Sequence, residues 1–128
     1  GHPAGDEALL LLARSIRHSV RADDQVGRLG GEEFGVLLPG ASLADATEVA
    51  ERIRRNIAST VFEPAGEPYP LSVSVGGAVY VDDVEVADLF RLADKRLYDA
   101  KAAGRNRVRM IELSPSFTRS ETSSSTGH

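Results

Sequence analysis

The chain has 128 residues, of which 41% are hydrophobic and 27% charged, and its formal net charge is -4. This composition fits one globular domain with a single core, and the acidic balance excludes a basic surface built to coat nucleic acid. The absence of cysteine excludes disulfides and thiolate metal sites. The longest apolar run, 8–13, is too short to span a membrane, and no leader pattern opens the chain. We therefore expect a cytoplasmic domain without membrane contact.

The first predicted element is an amphipathic helix that follows the segment 1–6. Its apolar residues recur at three- and four-residue steps, which is the period of one helical face. They are Leu9, Leu12, Ala13, Ile16 and Val20. The run Arg21-Ala22-Asp23-Asp24 then breaks the pattern.

A hairpin is predicted next, because the apolar runs 26–29 and 34–38 flank Gly30 and Gly31. Two glycines between strand-like runs favour a tight turn, since both tolerate positive φ. Glu32 and Glu33 follow the turn, and adjacent carboxylates repel unless a cation lies between them. Mg²⁺ prefers such oxygen ligands. Taken alone, the pattern equally fits an exposed hairpin with two solvated glutamates.

Ser42, with Asp45 three residues later, predicts the start of a second helix. Its apolar stripe consists of Ala46, Val49, Ala50, Ile53 and Ile57. A loop rich in proline follows at 63–70. The strand-like runs 71–75 and 78–81 are separated by Gly76 and Gly77, where we expect a bend or bulge.

Asp82 and Asp83 are predicted to start the last helix, which Gly104 ends, and a closing strand is predicted at 108–113. Helices alternating with strands predict an α+β fold with a mainly antiparallel central sheet flanked by helices. We assign the domain to 1–112 and expect the Ser/Thr-rich segment 113–128 to be a disordered tail or linker.

Four runs together resemble the GGDEF family, the diguanylate cyclases. They are the Gly-His-x-x-Gly-Asp segment at 1–6, Arg-x-x-Asp at 21–24, Gly-Gly-Glu-Glu at 30–33, and the run 98–106. Glu32 replaces the commoner aspartate of the family motif. The resemblance implies a ferredoxin-like, palm-type nucleotide cyclase domain that converts two GTP into cyclic di-GMP and two pyrophosphates. It also implies a metal-dependent homodimer controlled by a sensory domain outside this chain.

The resemblance assigns the substrate residues as well. Asp6 would accept hydrogen bonds from guanine, while Lys101 and Arg105 would contact the triphosphate. Gly30 and Gly31 would let the substrate approach the backbone. For Asp6 the alternative is a carboxylate that favours the helix dipole, and for the basic pair it is the complement of a helix C-terminus.

Glu32 and Glu33 would be the ligands of Mg²⁺ (or Mn²⁺). Glu32 would also help to deprotonate the ribose 3′-hydroxyl, the nucleophile of the reaction. Arg21, Asp24 and Arg52 match an inhibitory site at which the family's product, cyclic di-GMP, binds. The alternative there is a surface ion pair between Arg21 and Asp24, which would contribute little stability.

The chain begins after the point at which family members carry a first strand with an Asp-x-Asp-x-Phe-Lys run. We therefore expect an N-terminally truncated domain, with the enzymatic activity belonging to the parent protein. The second hypothesis is a non-catalytic module that binds cyclic di-GMP or GTP. A purely structural dimerisation domain would leave the Gly-Gly-Glu-Glu run unexplained.

Overall fold

The computed structural model describes residues 3–30, 33–80 and 83–113. Three helices and four strands alternate in the described part of the chain, which confirms the α+β class. In chain order they are α1 (Pro3–Ser19), β1 (Gln25–Gly30), β2 (Glu33–Leu37), α2 (Leu43–Ala58), β3 (Val75–Tyr80), α3 (Val86–Ala102) and β4 (Val108–Leu113). A short 3₁₀ turn, Pro64–Gly66, lies between α2 and β3. The predicted tail from Ser114 onward lies outside the described residues.

The strands pair in two separate sheets within the described ranges. β1 and β2 form the predicted antiparallel hairpin, in which Val26 lies opposite Val36 and the ladder is irregular between Arg28 and Gly30. β3 and β4 are parallel, as expected for strands that are joined through a helix, here α3. Within the described ranges one sheet is therefore antiparallel and the other parallel, which differs from the single, mainly antiparallel central sheet predicted.

The glycine pair Gly76-Gly77 lies inside β3, so the predicted bend at this point is wrong. A Cβ atom on Gly76 would overlap the backbone of α3 at Leu97 and Ala93, and one on Gly77 would meet the Met110 side chain at 2.5 Å or less. The glycines therefore serve close packing of helix on strand rather than a change of chain direction. The segment 71–74, predicted as strand, has no regular structure.

The main core cluster joins α1 to α2. Ile16 from α1 and Ile53 and Ile57 from α2 are buried together, and the hairpin covers them with half-buried apolar side chains. Because the helix stripes lie on the hairpin, the core fixes the orientation of the hairpin relative to the C-terminus of α1. Among the described residues, none of the helices is long and apolar enough to cross a membrane.

The N-terminal ends of α2 and α3 can be compared with the capping residues predicted from the sequence. Ser42 caps α2 as predicted, and its Oγ accepts a hydrogen bond of 3.1 Å from the amide of Asp45. α3 instead begins at Val86, so the start predicted at Asp82 and Asp83 is wrong. The carbonyl of Glu85 accepts the first helical hydrogen bonds, and the Glu85 side chain makes no capping hydrogen bond within the described part of the chain. Asp82 itself lies outside the described residues.

Candidate functional site

The hairpin presents one of the two predicted metal ligands. Glu33 opens β2 with an exposed side chain and lies opposite Gly30 in the ladder, while Gly31 and Glu32 lie outside the described residues. Within 3–30, 33–80 and 83–113, no three carboxylate or histidine groups come together to hold a metal. The Glu33 carboxylate nevertheless offers hard oxygen donors opposite Gly30, a residue without a side chain. Its chemistry therefore fits Mg²⁺ or Mn²⁺.

Asp6 lies in the first turn of α1, and its side chain is exposed. This position satisfies the helix-dipole interpretation. It also leaves the carboxylate accessible to a ligand. Either role is therefore compatible with the local structure.

Both predicted triphosphate residues lie at the C-terminal end of α3. Lys101 is in the last turn and Arg105 follows the helix, and both side chains are exposed. The amide of Arg105 donates a 3.0 Å hydrogen bond to the carbonyl of Ala100, which anchors the loop to the helix end. The two cations therefore share one end of α3, where the partial negative charge of the helix favours them.

The loop after α3 has an unusual backbone. Gly104, Arg105 and Asn106 all have positive φ, at 125°, 63° and 47°. For residues other than glycine the left-handed conformation costs roughly 1–2 kcal/mol each. Each hydrogen bond of the turn contributes only about 1 kcal/mol of net stability. The surroundings must therefore hold this turn in place.

Two contacts hold Asn106 in that turn. Its amide donates to Ser74 Oγ at 3.2 Å, and its Oδ1 accepts from Arg54 Nη1 at 3.3 Å. Arg54 belongs to α2 and Ser74 precedes β3, so residues distant in sequence support the loop. Neither residue is singled out by the sequence motifs, since each gains this contact only through the fold.

The Arg21–Asp24 segment forms a closed turn. The amide of Arg21 donates to Asp24 Oδ2 at 2.8 Å, and the amide of Asp24 donates back to the carbonyl of Arg21 at 3.1 Å. Among the described side chains, no ion pair joins the Arg21 guanidinium to this carboxylate. The alternative of an ion pair between Arg21 and Asp24 is therefore wrong. The carboxylate accepts a hydrogen bond from the backbone instead, and the Arg21 side chain is exposed.

Two further arginines surround this turn. Arg17, one helical turn before Arg21, donates to the carbonyl oxygens of both Arg21 and Asp24. Arg52 donates from Nη2 to the carbonyl of Ser19 at 2.7 Å, which brings α2 against the start of the same segment. Sequence reasoning selected Arg52 and missed Arg17. The available signal was its place in the last turn of α1, where cations meet unpaired carbonyls.

The comparison with protein families gives a match over most of the chain. Residues 1–107 match the family described as "Diguanylate cyclase, GGDEF domain". Diguanylate cyclase DgcP from Pseudomonas aeruginosa is 41% identical over 108 residues, which cover 84% of this chain and 16% of that protein. The probable diguanylate cyclase DgcT from Escherichia coli is 39% identical over 111 residues, covering 84% and 25%. The chain thus spans a quarter or less of the length of these relatives.

Solved structures show the same fold. The active GGEEF domain of a diguanylate cyclase from Vibrio cholerae is 35% identical with a TM-score of 0.74, covering 86% of this chain and 70% of that one. The GGDEF domain of DgcB from Caulobacter crescentus, solved in complex with cyclic di-GMP, is 28% identical with a TM-score of 0.79, covering 86% and 66%. These likenesses confirm the palm-type cyclase fold predicted from the sequence.

Proposed function

The chain belongs to the diguanylate cyclase GGDEF domain family, and we propose that it is the catalytic domain of an enzyme that condenses two GTP into cyclic di-GMP. The observation that carries this proposal is the exposed Glu33 carboxylate directly opposite Gly30 at the hairpin, within a family match over residues 1–107. The carboxylate is exposed and is not part of the core. It is accessible to a phosphate-bound cation.

The reaction forms two phosphodiester bonds. In each, the ribose 3′-oxygen of one GTP attacks the α-phosphorus of the other and pyrophosphate leaves. We propose that Glu32 and Glu33 hold Mg²⁺ (or Mn²⁺), which when bound supplies Lewis-acid activation of the hydroxyl and charge neutralisation. Glu32 helps to remove the hydroxyl proton. Gly30 and Gly31 leave room for the substrate at the backbone.

The remaining substrate residues bind the two ends of GTP. Asp6 accepts from two guanine N–H groups, a donor pair that adenine lacks. Lys101 and Arg105 balance the charge of the triphosphate, and the exposure of both side chains supports this role. Each domain holds one GTP, so turnover requires two copies facing each other in a two-fold homodimer.

We further propose that Arg21, Asp24 and Arg52 form a product-inhibition site. The exposed Arg21 guanidinium next to a preformed turn supports this assignment, as does the solved complex of DgcB with cyclic di-GMP. Arg52 uses one N–H on the carbonyl of Ser19, and a guanidinium has five. Arg52 therefore retains donors for a ligand while it orients the turn.

The full-length context is part of the proposal. Because relatives are four to six times longer than the matched segment, we propose a parent protein in which a sensory domain brings two catalytic domains together. The cytoplasmic location and the assignment of 1–112 to the domain and 113–128 to a tail remain predictions.

The second candidate is a non-catalytic module that binds cyclic di-GMP or GTP. The observation that favours it is the Arg21–Asp24 turn, which Arg17 and Arg52 order within this chain alone. Because this turn lies within one copy of the domain, ligand binding there does not require a second copy, whereas turnover does.

One experiment separates the two candidates. The parent protein, to which the activity is assigned, is incubated with GTP and Mg²⁺, and cyclic di-GMP is measured by mass spectrometry. Product that disappears in Glu33→Ala but persists in Glu48→Ala, an exposed glutamate on α2, supports the cyclase. Calorimetric binding of cyclic di-GMP without any product from GTP would favour the regulatory module.

A further inference from the structure

We propose that Arg54 is a positioning residue of the triphosphate site and that it acts through Asn106 on Arg105. The inference rests on the proposed role of Arg105 in binding the triphosphate. Arg54 lies on α2, at a distance of 52 positions from Asn106 in the sequence, and its Nη1 donates to Asn106 Oδ1 at 3.3 Å. It thereby connects α2 to the loop that carries Arg105.

The Arg54 guanidinium is itself held in a fixed orientation. Its Nη2 contacts Glu51 Oε2 at 3.0 Å, and its Nε donates to the same oxygen at 3.3 Å. The two side chains are only 22% and 32% exposed, so the pair is partly shielded from solvent. This side-on pairing with Glu51 leaves Nη1 directed at Asn106.

Asn106 is held from a second side by Ser74, whose Oγ accepts from the Asn106 amide at 3.2 Å. Asparagine tolerates the left-handed conformation, whereas the adjacent arginine does so only under constraint. Arg105 has a φ of 63° and precedes the clamped residue directly. Fixing Asn106 from α2 and from the segment before β3 therefore fixes the left-handed turn at Arg105.

The position of this turn determines where the Arg105 guanidinium points. Lys101 lies inside α3, and its position follows from the helix. Arg105 lies outside the helix, so its direction relative to Lys101 depends on the loop backbone. Recognition of phosphate by arginine is directional because the guanidinium donates in a planar fork. Release of Asn106 would thus weaken contact with the triphosphate and leave guanine recognition unchanged.

The test measures binding of the GTP analogue with an α,β-methylene bridge, which cannot release pyrophosphate, to the chain in Mg²⁺ by calorimetry. Arg54→Met keeps most of the aliphatic stem and removes the guanidinium. We expect about fivefold weaker binding of the analogue, the equivalent of one net hydrogen bond, and unchanged binding of guanosine. Arg55→Met is the matched control, because Arg55 is the next residue on α2 and is exposed. Its nearest ion-pair contact, to Glu48, is a long 3.8 Å.

A double-mutant cycle shows whether Arg54 acts through Arg105. In the Arg105→Ala background, Arg54→Met should cause no further loss. Additive losses, or an Arg54→Met affinity equal to that of Arg55→Met, would overturn the positioning role while leaving the triphosphate assignment intact. If Arg105→Ala alone leaves the affinity unchanged, or the unaltered chain does not bind the analogue, the assignment of Arg105 falls and the inference falls with it.

Thermal unfolding of every variant reports on folding. Should Arg54→Met fail to fold, Arg54→Lys and Ser74→Ala replace it in the same cycle. Arg54→Lys keeps the positive charge beside Glu51 and loses the guanidinium N–H group that donates to Asn106. Ser74→Ala removes the other support of Asn106. Both should weaken binding of the analogue, and neither should change binding of guanosine.

Discussion

Arg17 Nη1 donates a 3.0 Å hydrogen bond to the carbonyl oxygen of Asp24, seven residues away across the end of α1. Its Nη2 donates to the carbonyl of Arg21 in the same turn. One guanidinium therefore bridges both ends of the proposed inhibitory turn. A turn that is ordered before the ligand arrives loses less conformational entropy on binding.

The first prediction concerns this bridge. Arg17→Met should weaken binding of cyclic di-GMP by at least about fivefold, because the turn loses two supporting hydrogen bonds, each contributing about 1 kcal/mol net. Calorimetry with cyclic di-GMP provides the measurement. Arg14→Met is the control, since Arg14 lies on α1 and is exposed. Equal affinities of the two variants would contradict a role of Arg17 in ordering the turn.

The second prediction is that Arg21→Ala relieves product inhibition with little loss of initial rate. The exposed side chain makes no hydrogen bond or ion pair among the described residues, and the turn is closed by its backbone, so truncation should leave the fold intact. Initial rates of pyrophosphate release from the parent enzyme, measured with and without added cyclic di-GMP, check this. Inhibition that persists unchanged would remove Arg21 from the site.

The third prediction is that Glu33→Gln in the parent enzyme lowers the rate at least about a hundredfold, since a neutral amide is a poor replacement for a metal-ligating carboxylate. Removal of divalent cations by a chelator should stop turnover of the unaltered enzyme, and Mg²⁺ should restore it. Glu48→Gln, an exposed glutamate on α2, should retain full activity. Full activity of Glu33→Gln would contradict the proposed metal site.

The fourth prediction concerns stability and compares two glycines that both lie in strands. Gly76→Ala should lower the free energy of unfolding by about 3 kcal/mol, because its Cβ would overlap the α3 backbone at Leu97 and Ala93. Gly27→Ala should change it by less than about 0.5 kcal/mol, because a Cβ there meets no atom of the described residues within 4 Å apart from its chain neighbours. Urea denaturation measures both. Equal stability of the two variants would refute close packing of α3 on β3.

The sequence predicted the elements that short-range patterns specify. Gly30 and Gly31 between apolar runs predicted the hairpin, the helical period predicted the stripe that buries Ile53 and Ile57, and Ser42 predicted the cap of α2. These features depend on residues within a few positions of each other. Their preferred conformations therefore hold before any tertiary contact forms.

Motifs in the sequence also predicted the family, and exposure of Lys101 and Arg105 agrees with the roles assigned to them. The roles themselves stay predictions, as does that of Glu32 outside the described residues. The metal site remains a prediction for the same reason, because the structure places Glu33 alone of its two ligands.

Tertiary structure decided the rest. The local sequence at Gly76 and Gly77 predicted a bend, yet both residues lie within a strand. They are glycines because α3 and Met110 approach too closely for side chains. Arg54 meets Asn106 only after α2 and the loop beyond α3 have packed into one structure. Such contacts join residues distant in sequence. The local conformational preferences of Arg54 and Asn106 do not predict this contact, so only the packed chain determines where these side chains lie.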